Sequence, residues 1–209
     1  RQDAPLARQF EHMLLETQRV CPELPGLEKV DGTRLGDLEP SLNGRFTQGL
    51  YLPGEGQLDN RELLHALLHA LQQSPSVTLH WHSPRAPADF KLDDHDAIDW
   101  LIDCRGLGAR DQLRLRGVRG EVIRLHAPDV SLQRPTRLIH PRYPIYIAPK
   151  PNHLFVIGAT EIESEDLSEA SVRSTLELLS AAYTVHPGFA EARILEIATQ
   201  ARPTLPFKP

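Results

Sequence analysis

Three short segments near the C-terminus of this 209-residue chain carry side chains suited to holding a carboxylate. Tyr146 begins a Tyr-Ile-Ala-Pro run, residues 158–160 read Gly-Ala-Thr at the end of an apolar run, and Arg202 precedes a proline. A guanidinium offers a carboxylate two parallel hydrogen bonds, and a phenolic hydroxyl donates one without ionising. We therefore predict that Tyr146 and Arg202 can hold a small carboxylate, with the glycine turn leaving room for a flat group.

The same residues also have simpler interpretations. Tyr146 alternates with apolar residues in a strand-like pattern and can be a core residue, and Arg202 can pair with a surface carboxylate. A buried arginine needs an anion, but burial is not visible in a sequence. Spacing alone leaves both interpretations open.

The histidines do not form a convincing metal-binding pattern. His65 and His69 have the helical i,i+4 spacing, but the residues between them lack the glutamate that a zinc protease uses as its base. His80 and His82 would share one face of a strand without a third ligand. An acidic cluster lacks the glycine and terminal glutamate of a calcium loop and is predicted to form a solvated turn: Asp93, Asp94, Asp96 and Asp99. We predict no metal site.

Two further catalytic patterns are missing from the sequence. There is no GxSxG nucleophile motif, and Cys104 has no recognisable partner histidine nearby. The dinucleotide motif GxGxxG is also absent, and Gly106-Leu107-Gly108 has only part of its spacing. No residue is predicted to act as a nucleophile or general base.

Composition narrows the class of protein. The chain is 40% hydrophobic and 24% charged with a net charge of -5, so it can bury a core and has no basic patch for nucleic acid or an anionic membrane. Two distant cysteines, Cys21 and Cys104, argue against a disulfide framework. We expect a cytoplasmic protein with neither nucleic-acid nor membrane partners, and a homo-oligomer is left open.

Helical periodicity and capping signals predict three helices. Residues 5–20 carry an apolar stripe, and Asp59 is placed to cap a helix that has Glu62 at the capping-box position. Residues 168–183 predict a third helix capped by Ser168. Its apolar face is predicted from four residues: Val172, Leu176, Leu179 and Ala182.

Strand patterns are concentrated in the second half of the chain. Residues 44–56 predict an early strand with a turn, residues 77–81 a short strand, and residues 97–104 a buried strand. Later runs at 118–125, 145–148, 154–157 and 194–199 are also strand-like, with a hairpin turn at 150–153. The predicted fold class is α+β, with a mainly antiparallel sheet flanked by helices.

In their order along the chain, these motifs resemble the flavin-dependent glycine and D-amino-acid oxidase family. Residues 56–63, 102–109 and 116–122 are similar to its helix entry, its glycine turn and its Arg-Gly-Val-Arg-Gly-Glu strand entry. The later motifs are YIAP, FVIGATEIES and QARPTLP, so that nearly the whole chain is covered. The thiamine-pathway glycine oxidase branch is the most similar one.

The resemblance implies roles for particular residues. Tyr146 would hydrogen-bond the substrate carboxylate or line its entrance, and Arg202 would form the main ion pair with that carboxylate. Glu161 stands where some relatives place an apolar residue beside the substrate, and it could equally point to solvent. The positions implied to lie near FAD are Arg105, Gly106 and Gly108.

The resemblance also implies a reaction. Glycine or a small D-amino acid would be oxidised by hydride transfer from its α-carbon to flavin N5, and dioxygen would reoxidise the flavin with release of peroxide. The imine would then hydrolyse. The cofactor carries this chemistry while the protein orients the substrate, so no protein base is required if the amine enters neutral.

Two departures from the family pattern limit this interpretation. The chain has neither the strand-GxGxxG-helix unit that would hold the FAD pyrophosphate nor the glycine-rich segment that follows the arginine-proline pair in the family, and residues 207–209 differ from the family. Because it begins at Arg1 rather than methionine, we expect a fragment that binds FAD poorly and is inactive alone.

The expected segments are a helical region with linker at 1–43, a partial FAD-domain region at 44–109, and a substrate-binding β-rich domain at 110–209. Two alternative functions remain open. One is a sarcosine-type flavin amine oxidase, since one scaffold can host several substrates. The other is a non-catalytic binding domain without a flavin half.

Overall fold

The structure, a computed structural model, describes residues 4–23, 26–90, 98–140 and 143–206. The chain forms two units, one made of residues 1–57 and 118–201 and the other of residues 58–117 and 202–209. These limits differ from the predicted divisions after residues 43 and 109. The three-part division stays a prediction.

The first unit begins with a helix and a small two-stranded sheet. Helix α1 spans Ala4–Val20, as predicted. Strand β1 (Glu28–Asp31) pairs antiparallel with β2 (Gln48–Tyr51), and helix α2 (Gly32–Leu38) lies between them in the chain. Asp31 caps α2 by accepting a hydrogen bond from the Arg34 amide at 2.8 Å. Strand β2 lies within the predicted early strand, whereas β1 and α2 were not predicted.

A five-stranded sheet supplies the scaffold of the first unit. Its strands are β3 (Arg116–His126), β4 (Thr136–Leu138), β5 (Ile145–Lys150), β6 (Leu154–Gly158) and β7 (Arg193–Thr204), in the order β4-β5-β6-β3-β7. The pairs β4–β5, β5–β6 and β3–β6 are antiparallel. Asn152 and His153 adopt positive φ angles of 61° and 55° in the predicted turn between β5 and β6. The predicted class of a mainly antiparallel sheet flanked by helices is confirmed.

One face of this sheet is buried and the other is open. Along β5, Ile145 and Ile147 are buried while Tyr146 between them is exposed, as the two-residue period of a strand requires. Helix α4 (Val172–Val185) contacts β5 and β6. The core formed on the buried face includes Ile123, Leu125, Ile147, Phe155, Ile157, Leu178, Ala181, Ala182 and Val185. Its rings pack edge to face where Phe155 and Phe189 lie 5.3 Å apart.

The predicted cap of α4 was wrong, and its predicted apolar face was correct for two of four residues. Ser171, not Ser168, caps the helix by accepting a hydrogen bond from the Ser174 amide at 3.1 Å, while Ser168 donates to Asp166 instead. Of the four residues predicted on the apolar face, Ala182 is buried, Leu179 is partly buried, and Val172 and Leu176 are exposed. The buried face passes through Ser174, a polar residue that an apolar pattern cannot find.

The second unit contains helix α3 (Asn60–Gln73), as predicted. Asp59 accepts hydrogen bonds from the amides of Arg61 and Glu62 at 3.0 and 3.4 Å, which satisfies two donors at the helix start. None of the helix residues is buried. A 3₁₀ helix follows later at Gly106–Asp111.

Two predicted strands of this unit are absent. Residues 77–81 and 98–104 form neither strand nor helix, and Ala97 lies outside the described residues. Trp100 and Ile102 are 85% and 78% exposed. A strand needs a neighbour to accept and donate its backbone hydrogen bonds, and no described strand pairs with either run.

Candidate functional site

Tyr146 lies on the open face of the five-stranded sheet. It stands directly opposite Gly158 in the β5–β6 register, and its side chain is about 38% exposed. A Cβ atom added to Gly158 would lie 2.5 Å from both Cζ and Oη of Tyr146. The ring therefore lies across Gly158, and any larger residue would displace it. The glycine of the Gly-Ala-Thr turn makes room for the tyrosine ring.

The segment that follows Gly158 contains one extra residue relative to its neighbour. Gly158 pairs with Val122 and Ile162 bridges to Arg119, so four steps along one segment match three steps along β3. The amide of Thr160 donates to the Glu121 carbonyl at 3.2 Å, and the Glu121 amide donates to Thr160 Oγ1 at 2.9 Å. This is a β-bulge, which bends the strand and redirects its side chains. Glu161, a predicted pocket residue, lies in the bulge and is exposed.

A buried ion pair lies beneath the bulge. Arg119 and Glu121 occupy the core face of β3 and are 5% and 1% exposed. Nε and Nη2 of Arg119 donate to Glu121 Oε1 at 3.0 and 2.8 Å, and Thr160 Oγ1 donates to Glu121 Oε2 at 3.1 Å. Buried charges are costly unless they are paired and hydrogen-bonded, and both carboxylate oxygens have partners here.

The hydrogen bonds to Glu121 keep it ionised. Burial would raise its pKa, but hydrogen bonds from Ser174, Arg119 and Thr160 outweigh burial and hold the pKa of Glu121 below its ordinary value. Ser174 belongs to α4, and its own oxygen accepts the Ser171 hydroxyl at 3.0 Å. The carboxylate thus connects β3, the bulge and the start of α4.

The remaining donors of Arg119 hold the chain that leads into α4. Nη1 donates to the Asp166 carbonyl at 2.6 Å and Nη2 donates to the Glu169 carbonyl at 2.8 Å. The Asp166 carboxylate lies 3.4 Å from Nη1. Because a guanidinium is a rigid planar fork, these bonds fix the segment in one place relative to β3.

In the second unit, Arg105 is held by carboxylates of its own chain. Its guanidinium donates to Asp103 at 2.7 Å and to Asp111 at 3.0 Å. Asp103 raises the pKa of Arg105, and Arg105 in turn lowers the pKa of Asp103. Two carboxylates balance this cation, so it is poorly suited to attract a phosphate.

Gly106 and Gly108 form a backbone turn without side chains. Gly106 has a φ of 58°, which favours glycine, and the Gly108 amide donates to the Arg105 carbonyl at 3.0 Å. A Cβ on Gly106 would lie 3.9 Å from Cγ of Pro203, the residue after Arg202. The glycine turn and the arginine-proline pair are therefore neighbours within the second unit. Arg202 itself is exposed, near the end of β7.

The predicted site residues thus fall into two sets. Tyr146 and Glu161 belong to the first unit, whereas Arg105, Gly106, Gly108 and Arg202 belong to the second. Within the second unit, the Gly106–Gly108 turn has no side chains that would keep a planar group such as a flavin ring away from its backbone. Arg105 and the two glycines do not supply a pyrophosphate cradle, since Arg105 is already paired and the chain has no GxGxxG motif.

Other site types find little support in the part of the chain that the structure describes. No group of three or more potential ligand side chains there can hold a metal ion, although Asp93, Asp94 and Asp96 lie outside it. Within the same residues, no helix has the length and apolar character needed to cross a bilayer. Cys21 and Cys104 are both free thiols.

Sequence reasoning did not identify Arg119 and Glu121 as a buried ion pair. The signal was present, because opposite charges two residues apart share one face of a strand whose neighbours are valine and isoleucine. A charge pair on the face that also carries Ile123 and Leu125 must be buried together with them.

Known proteins resemble this chain over most of its length. Residues 4–209 match the family described as FAD dependent oxidoreductase (DAO). The chain is 41% identical over 193 residues to a Rhizobium etli protein named "Putative thiamine biosynthesis oxidoreductase ThiO", covering 91% of this chain and 56% of that protein.

Solved structures with the same fold are enzymes of known name. A glycine oxidase from Geobacillus kaustophilus superposes with a TM-score of 0.67 at 24% identity, over 87% of this chain and 52% of that one. An iminodiacetate oxidase from Chelativorans sp. BNC1 gives 0.66 at 21% identity, over 95% of this chain and 57% of that one. The chain therefore spans about half the length of the proteins it matches, and at these identities the structures establish the fold alone.

Proposed function

Because the chain belongs to the family of FAD dependent oxidoreductases, we propose that it forms the substrate-binding part of a flavin enzyme that oxidatively deaminates glycine or a small D-amino acid. Dioxygen is the proposed acceptor. The observation that supports the proposal is that a Cβ atom added to Gly106 would lie 3.9 Å from Cγ of Pro203, the residue after Arg202. The name of the Rhizobium etli relative supports a place in thiamine biosynthesis.

The proposed roles follow from the chemistry of each side chain. Arg202 would hold the substrate carboxylate through two parallel hydrogen bonds, and Tyr146 would donate a further one from its hydroxyl. Fixing the carboxylate restricts the α-carbon to one orientation, which lowers the entropic part of the barrier. An amine that arrives neutral needs no protein base, so none is assigned.

FAD, when bound, would accept the hydride from the α-carbon. This chain would contribute Gly106 and Gly108, whose missing side chains let the backbone approach a planar ring. Arg105 would keep the turn in shape through Asp103 and Asp111 rather than bind phosphate. We propose that the holoenzyme holds FAD largely through residues beyond these 209, and that this chain alone is inactive.

Kinetics of the FAD-loaded holoenzyme test the role of Arg202. Arg202→Ala should raise KM for glycine about 10- to 100-fold, because a hydrogen bond to a charged group contributes about 1.5–3 kcal/mol. Arg8→Ala, at an exposed position on α1, is the matched control and should leave KM unchanged. Peroxide formation with glycine and with sarcosine should be measured in parallel.

Each result has a distinct meaning. An unchanged KM in Arg202→Ala would remove Arg202 from carboxylate binding. Faster turnover of sarcosine than of glycine would favour the secondary-amine oxidase. If the purified full-length protein shows no flavin absorbance after FAD addition, the oxidase proposal fails. The non-catalytic binding domain then remains.

A further inference from the structure

We infer that Thr160, together with the buried Arg119–Glu121 pair, positions the bulged segment that supports Tyr146. The inference rests on the proposed function, because Tyr146 is there a substrate-binding residue. None of the three side chains is placed to touch substrate in that proposal. They are positioning residues that act through Gly158 and Tyr146.

The first step of the argument is the connection from Tyr146 to the bulge. The Tyr146 ring lies across Gly158, so the position of the Gly158 backbone determines where the ring can lie. Ordinary strand pairing with β3 ends at Gly158, opposite Val122. Beyond Gly158, the backbone path of residues 159–162 depends on hydrogen bonds outside the regular β3–β6 pairing.

The second step is the way those bonds span the bulge. Thr160 accepts from the Glu121 amide through Oγ1 and donates from the same oxygen to the Glu121 carboxylate. Ile162 and Arg119 then exchange two backbone hydrogen bonds of 2.8 and 3.0 Å. The Thr160 side chain thus links the bulge to the buried pair through two hydrogen bonds to Glu121.

The third step concerns the direction of the side chains. In an uninterrupted strand, residue 160 would point to the same face as Gly158, which is the open face. The extra residue reverses this alternation, and the Thr160 hydroxyl reaches Glu121 on the core face. The buried carboxylate makes this reversed direction favourable, since it accepts a hydrogen bond from the Thr160 hydroxyl.

A matched pair of substitutions in the holoenzyme tests the inference. Thr160→Val keeps the shape of the side chain but removes both hydrogen bonds, whereas Thr160→Ser keeps both. We expect Thr160→Val to raise KM for glycine about tenfold, with kcat per bound flavin within about twofold of the unaltered enzyme, because ground-state and transition-state binding weaken together. Thr160→Ser should restore KM. A purely structural role would reduce the yield of folded holoenzyme without changing KM.

Hydrogen–deuterium exchange provides a readout that does not depend on activity. Peptides covering residues 158–163 should exchange faster in Thr160→Val than in Thr160→Ser. Unchanged exchange would overturn the inference, and so would faster exchange with an unchanged KM in an active enzyme. If the unaltered holoenzyme oxidises neither glycine nor sarcosine, the proposed function fails, and the exchange comparison alone then decides whether Thr160 holds the segment.

Discussion

Glu121 is ionised inside the protein because three side chains donate hydrogen bonds to it. Removing its charge leaves the buried Arg119 facing a neutral group, with the exposed Asp166 carboxylate 3.4 Å from Nη1, and breaking a buried pair on one side is destabilising. The stability of the first unit should therefore depend on the protonation state of this one carboxyl group.

This dependence predicts a pH effect with a definite sign. The pKa of Glu121 in the folded state lies below its ordinary value of 4.5, so the unfolded chain binds a proton first as the pH falls. The stabilisation is complete above about pH 4.5 and is lost as the pH falls further towards the folded-state pKa. Glu121→Gln should lower stability at pH 7 and flatten the dependence of the unfolding free energy on pH below 4.5.

Urea denaturation of both proteins between pH 3 and pH 7 measures this difference. Asp103 and Asp166 also have lowered pKa values, but they are present in both proteins and contribute equally. Parallel pH profiles for the two proteins would contradict the assignment to Glu121.

Single residues could be predicted from the sequence only where their chemistry is local. The cap at Asp59 was correct because it requires nothing beyond the next three residues. The role of Thr160 could not be predicted, since its hydroxyl acts on a carboxylate 39 residues earlier. The reversed side-chain direction behind that contact depends on a bulge, which the sequence alone does not mark.

At the scale of elements, the first unit is stabilised by the packing of one face of α4 against the sheet. Its buried face joins Leu178, Ala181 and Val185 to the sheet, while Leu176 points to solvent with 59% of its surface exposed. Two leucines of one helix thus have opposite environments.

The same substitution at both positions separates packing from helix propensity. Leu178→Ala should lower the free energy of unfolding by about 2–5 kcal/mol, because it opens a cavity in the core. Leu176→Ala should change it by no more than about 0.5 kcal/mol. Chemical denaturation measures both values, and equal losses would contradict the burial described for α4.

Element prediction succeeded where strands had partners within the chain. The runs that became β3, β5, β6 and β7 form one sheet, and their apolar residues are explained by its core. Residues 98–104 have the same apolar character but no described neighbour, and they remain irregular. Local composition can indicate that a run is able to form a strand, but pairing decides whether it does.

At the scale of the whole molecule, apolar burial is uneven between the two units. The main hydrophobic core lies entirely in the first unit. Among the described hydrophobic residues of the second unit, Ala109 is the buried one. The second unit therefore gains little stability from its own burial.

Both tryptophans of the chain report on the second unit. Trp81 and Trp100 are 65% and 85% exposed. We expect the purified chain to fluoresce like hydrated indole and to be quenched almost fully by acrylamide. Emission at shorter wavelength, or incomplete quenching, would show that one of the two indoles is covered and would contradict this exposure.

The bulge after Gly158 has a consequence for how such a protein can diversify. The extra residue in the bulge interrupts the inward–outward alternation of side chains that β6 follows. Glu161 is exposed there, so it can be exchanged without placing a new side chain in the core. The hydrogen bonds between Thr160 and Glu121 hold the bulged backbone in place, while position 161 is free to vary in charge and size. Substitutions are thereby tolerated at position 161, shortly after the Gly158 that lies opposite Tyr146. A new side chain there would destabilise the fold little.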